Sequence, residues 1–173
     1  MANTFIKIAS VAVGAGGAAT MAFSSIPATY TDLVVKVSGR STSSSGDCQI
    51  VLNSSGGTAY SGKLLYGDGG GVLSASNSGV AQMSWGAGAI NRSTTTSNTF
   101  CNTDVYIPNY AGSNNKSVST DSVEENNATQ AYSQLAGSLW ANSAAITSIT
   151  LSPSGGGNFV QYSTATLYGI KNS

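Results

Sequence analysis

Apolar residues recur at every second position in short runs, and each run closes on a cluster of Gly, Ser or Asn. In Asp32-Leu33-Val34-Val35-Lys36-Val37-Ser38-Gly39-Arg40, Leu33, Val35 and Val37 fall on one face while Asp32, Lys36 and Arg40 fall on the other. A period of two is that of an extended strand with one face in a core. Cys48, Ile50 and Leu52 repeat the pattern against Asp47, Gln49 and Asn53. Cys101, Thr103, Val105 and Ile107 do so against Asn102, Asp104 and Tyr106, and Ile149 with Leu151 and Ala165 with Leu167 continue it. The clusters between runs lie at residues 14–17, 41–46, 54–57, 67–71, 93–98, 112–115 and 152–158. Such residues tolerate positive φ or bond their own backbone, so they end strands. Strand and turn alternate about every 10–15 residues, the spacing of a sandwich or barrel.

The expected fold class is therefore all-β, an antiparallel β-sandwich. One segment, residues 126–142, has Leu135, Leu139 and Trp140 partly at helical spacing, but Gly137 interrupts it and a strand over 134–140 fits better. Strands begin by about Phe5 and end at Ile170, so a single domain over residues 1–173 is expected, with no room for a separate anchor or shaft. The apolar start, residues 8–13 and 15–19, is broken by Gly14, Gly16 and Gly17 and has Lys7 as its only early charge. A secretory leader needs a basic start and an uninterrupted apolar stretch, so a first strand and a hairpin turn are expected instead.

Composition excludes several functions. Of 173 residues, 81 are Ser, Thr, Asn or Gly, and only 8% are charged, against about 25% in an average soluble protein. Net charge is zero and 40% of residues are hydrophobic, which argues for a packed core rather than disorder. Nucleic-acid binders carry a basic footprint that a chain with seven cations and seven anions lacks, so no nucleic-acid partner is expected. No apolar run approaches the 18 or so residues of a membrane span, and no membrane partner is expected.

Motifs that suggest chemistry have simpler explanations. Gly14-Ala15-Gly16-Gly17-Ala18-Ala19 matches a dinucleotide fingerprint, yet alternating Thr20-Met21-Ala22-Phe23 and then Pro27 follow it where a helix would have to start. Without His, neither a Ser-His-Asp triad nor a histidine metal site can be built, and Cys48 and Cys101 stand 53 positions apart with no CxxC spacing. They are expected as two small core-facing thiols, with a disulfide as the alternative. Asp121, Glu124 and Glu125 form the densest acidic stretch, expected as a solvated loop or interface salt links. No catalytic, cofactor-binding or metal-binding residues, and hence no enzyme activity, are expected. Contact with a partner or glycan falls to aromatic residues, which join large area to a polar handle. Trp85, Tyr66, Tyr106 and Tyr110 are the candidates.

Several segments together resemble a known group. Lys7-Ile8-Ala9-Ser10, Val13-Gly14-Ala15-Gly16-Gly17-Ala18-Ala19 and Phe23-Ser24-Ser25-Ile26-Pro27-Ala28-Thr29-Tyr30-Thr31-Asp32-Leu33 are similar to small virion proteins of tailed bacteriophages, those of aquatic and cyanobacterial hosts in particular. So are Val105-Tyr106-Ile107-Pro108-Asn109-Tyr110, Ile146-Thr147-Ser148-Ile149-Thr150-Leu151 and Leu167-Tyr168-Gly169-Ile170. The resemblance implies a jelly-roll-like sandwich on the outer surface of the virion, the head favoured over the tail. It implies a capsid decoration or cement protein, a homotrimer, with the major capsid protein as partner. The alternative it carries is a tail fibre or adhesin module that binds a host glycan or receptor.

Overall fold

The structure, a computed structural model, describes residues 4–128 and 131–171. It is an antiparallel β-sandwich of two unequal sheets. The large sheet has the order β1 (Phe5–Ala12), β11 (Thr164–Ile170), β3 (Asp32–Ser38), β7 (Asn102–Ile107), β8 (Lys116–Glu124), β9 (Tyr132–Trp140), β5 (Tyr60–Gly67), β6 (Val72–Val80). The small sheet has the order β2 (Met21–Phe23), β10 (Ile149–Pro153), β4 (Cys48–Leu52). Every ladder is antiparallel. The sandwich expected from the alternation is thus met, and β1 and β11 begin and end at Phe5 and Ile170.

The small sheet covers only part of the large one. Leu33, Val35, Val37, Val105, Ile107, Ala165 and Leu167 of β3, β7 and β11 pack in one core cluster with Met21, Phe23, Cys48, Ile50, Leu52, Ile149 and Leu151 of the small sheet. Full burial of such side chains stabilises by roughly 1.5–3 kcal/mol each. Both cysteines are free and buried within this cluster, as thiols. The Gly39 N–H donates to Cys101 Sγ at 3.2 Å.

Beyond β7 the cover changes character. Residues 83–90 run along β4 as an irregular fourth strand: Met83 and Ile50 exchange backbone bonds (2.9 and 3.1 Å), Ala87 N–H donates to Cys48 C=O (3.0 Å), and Cys48 N–H to Gly88 C=O (2.8 Å). At Gly88 this segment lies so close to β8 that a side chain does not fit. Gly88 has φ +62°, and a Cβ there would stand 2.1 Å from Ser122 Oγ; a Cβ on Gly86 would stand 2.8 Å from both Ile50 and Met83. Beneath it the buried face of β8 supplies the hydroxyls of Thr120 and Ser122. Ser122 Oγ accepts from Ala89 N–H (2.9 Å), and Thr120 Oγ1 donates to Gly86 C=O (2.8 Å).

Two expectations need correction. Residues 14–17 do turn, with Gly17 N–H donating to Gly14 C=O (3.0 Å), but not as a hairpin: β1 pairs with β11 while β2 pairs with β10, so the turn carries the chain from one sheet to the other. The acidic stretch is strand through Glu124, and only Glu125 lies past its end as an exposed residue. Alternation sends Glu124 into the interior and Glu125 outward, and Lys116, at the other end of β8, is also fully buried with its ammonium donating to the carbonyls of Gly112 and Asn114. Within residues 126–142 the strand fits, spanning Tyr132–Trp140; residues 129 and 130 lie outside the described residues.

Candidate functional site: an aromatic cleft and an apolar sheet face

Where the large sheet overhangs the small one, a cleft of about 240 Å³ opens on its inner face. Its floor is β5 with its neighbours, because Tyr66 stands opposite Gln134 of β9 and Leu64 opposite Ala75 of β6. Its wall is the chain before β4 and after β6, which brings in Asp47, Trp85 and Arg92. Glycines make room for these side chains. A Cβ on Gly62 would come within 3.3 Å of Trp85, and one on Gly46 within 3.1 Å of the Arg92 guanidinium.

Charge is concentrated beside this cleft. Glu124 and Tyr132 are cross-strand partners, and Arg92 reaches both: its Nη2 is 3.7 Å from Glu124 Oε2, and its guanidinium lies 4.8 Å from the Tyr132 ring centroid. The Tyr66 and Tyr132 rings meet at 6.0 Å, tilted 46°. Burial raises the Glu124 carboxyl to about 7 against the pull of Arg92. Asp47 is raised too, again by burial, with Arg92 and the Gln134 amide drawing it back. Glu124 is closed off behind Arg92 and does not line the cleft, so Asp47 and Glu124 do not face each other across it as the acid and base of a glycosidase would.

The opposite face of the same strands is open and carries large apolar side chains among Ser, Lys and Asp. Leu65 and Leu135 are direct cross-strand partners, with Leu139, Val123 and Tyr106 around them; Leu135 is 57% exposed and Leu65 49%. Gly137 carries no side chain into the space between them, and a shallow depression of about 340 Å³ forms among Tyr106, Ser119, Asp121 and Leu135. The nearby charges balance: Lys36 and Lys63 stand with Asp104 and Asp121, and Lys36 Nζ binds Asp104 at 2.6 Å.

The four aromatic candidates therefore separate. Trp85 and Tyr66 share the cleft. Tyr106 lies on the other side of the sheet, its hydroxyl donating to Asp32 Oδ2 at 2.8 Å, which holds the ring at the edge of the apolar face. Tyr110 is fully buried, with its hydroxyl donating to Pro27 C=O and accepting from Tyr30 N–H (3.3 Å), so it ties loops together inside the fold. Sequence reasoning missed Asp47, Arg92, Tyr132 and Gln134. The period-two spacing of Tyr132 and Gln134 could have put them on one face. Compared with known proteins, the chain matches no family model, no curated protein and no solved structure.

Proposed function

We propose that the chain is a structural protein of a phage virion, a decoration or cement protein that sits on the outside of the head and clamps the major capsid protein as a homotrimer. Support comes from the resemblance of its segments to small virion proteins and, above all, from the exposed face around Leu65, Val123, Leu135, Leu139 and Tyr106. Large apolar side chains gathered on one exposed face are the kind of surface that serves as a contact surface. Its balanced charges suit a contact made by area and shape, which salt screens little.

The test is reconstitution of purified protein onto heads that lack it. Occupancy should differ little between low and high NaCl, and Leu65→Ser combined with Leu135→Ser should abolish it. A steep loss of occupancy with salt, or particle density for the protein on the tail alone, overturns the reading. Sedimentation of the free protein as a trimer is the expected result, and a monomer would remove the oligomer from the proposal.

A second reading, a tail module that binds host glycan, is favoured by one observation: Tyr66 and Trp85 line the same cleft. A glycan array without signal removes it.

A further inference from the structure

Three features of the inner cleft do not serve the fold. The first is Gln134, 6% exposed, whose Oε1 has no hydrogen-bond partner among the described residues although the side chain lines the cleft. Buried polar atoms are nearly always partnered, so an orphan acceptor facing a cavity points to a donor that arrives from outside. The second is the convergence of Tyr66, Trp85 and Tyr132 from three separate segments on one open space. The third is the charge. Arg92 lies over the Tyr132 ring and beside Glu124, with Asp47 on the same wall. An anion would find the guanidinium already engaged and two carboxyls near; a cation would find the guanidinium on the ring face it needs.

We propose that this cleft binds one neutral pyranose ring of a glycan. The aromatic rings take the apolar C–H face of the sugar. Gln134 Oε1 and Asp47 accept from its hydroxyls, and Arg92 Nε, which also lacks a partner among the described residues, donates to one. A hydroxyl both donates and accepts, so this mixed set of groups matches a sugar better than a purely acidic or basic ligand. The space agrees: about 240 Å³ falls below the roughly 300–1,000 Å³ of clefts that take drug-sized ligands, and suits a single ring. The inference rests on the second reading above and names the site and ligand class for it.

Trp85 makes the test direct, because Trp140 is buried and stacked on Tyr60, which leaves Trp85 as the half-exposed reporter. Intrinsic fluorescence and saturation-transfer NMR are followed during titration with methyl glycosides of glucose, galactose, mannose and N-acetylglucosamine, with glucuronate and glucosamine as charged controls. At least one neutral glycoside should bind with a dissociation constant on the order of 1 mM, and the charged controls more weakly. Trp85→Ala and Gln134→Leu should each weaken binding tenfold or more, while Leu135→Ser on the opposite face should not. Tyr66→Ala replaces Trp85→Ala if circular dichroism shows that the latter is unfolded. Binding that is equal in folded Trp85→Ala and Gln134→Leu, or stronger for a charged control, overturns the site. Glycan-array binding that survives both substitutions keeps the second reading and removes this cleft; no binding to any glycoside or array glycan removes both.

Discussion

The two halves of the large sheet's buried face are built on different principles. Under β3, β7 and β11 the face is Leu33, Val35, Val37, Val105, Ile107, Ala165 and Leu167, met by the apolar small sheet. Under β8, β9 and β5 apolar Val118, Ala136, Trp140, Tyr60 and Leu64 are interspersed with Thr120, Ser122, Glu124, Gln134, Ser138 and Gly62, and the face is met by a glycine-rich segment and then by the cleft. The first half fills space and supplies stability. The second spends hydroxyls on backbone groups, because a buried N–H or C=O must be bonded, and keeps charge next to an opening. Neighbouring strands of a single sheet thus set close apolar packing beside a mixed, partly polar face that borders an opening.

Substitutions in the two halves should break at different scales. Leu167→Ala, in the apolar half, removes a fully buried side chain from a tight core and should cost about 2–5 kcal/mol in urea unfolding. A loss below about 1 kcal/mol would mean that this half is loosely packed. Glu124→Gln probes the polar half. The folded carboxyl, raised to about 7 from an ordinary 4.5, contributes stability that is complete below about pH 4.5 and is lost as pH rises through about 7. At about 1.4 kcal/mol per pKa unit the wild type should lose about 3 kcal/mol across that window. Asp47, also raised, adds a slope of the same sign. Glu124→Gln should flatten the fall, measured by unfolding at pH 5 and pH 8, and an unchanged slope would sink the assignment.

Smaller effects complete the comparison. Ser122→Ala strands the Ala89 N–H and should cost about 1–3 kcal/mol, although it removes only one oxygen. If it costs nothing, the hydroxyl network is not what seats residues 83–90. Lys36→Ala breaks an ion pair whose side chains are about half exposed, so its effect should stay below about 1 kcal/mol and shrink further in salt. Chemical denaturation with and without NaCl checks both statements.

How much of this was legible follows from the same contrast. In the apolar half, Leu33-Val35-Val37 stand against Asp32, Lys36 and Arg40, with Val34 the one apolar exception, Ala165-Leu167 alternate with Thr164 and Thr166, and the period shows at once. In β8 each face has one valine, Val118 inside and Val123 outside, among Thr120 and Ser122 inside and Ser117, Ser119 and Asp121 outside, so the period carries little hydrophobic signal. β6 is mostly exposed on both faces and gave no pattern for the same reason. The cleft was half visible, as two aromatic side chains with no common context. Its remaining groups come from residues 47, 92, 132 and 134, which only the strand order β8-β9-β5-β6 brings together. Long-range pairing of that kind leaves no local trace. The tight segment did leave one, Gly86-Ala87-Gly88-Ala89, whose meaning depends on the β8 hydroxyls beneath it.

The strand order also decides where the molecule can be handled. β1 and β11 are neighbours at one margin of the large sheet, while β5 and β6 form the other. Six strand spacings of about 4.8 Å separate β1 from β5 and five separate β11 from it, which puts about 24–29 Å along the sheet between these strands and β5. A fluorophore, affinity handle or surface tether joined near β1 or β11 would therefore leave both faces of the far strands unobstructed. Biosensor immobilisation through either strand should present the cleft and the leucine face to solution alike.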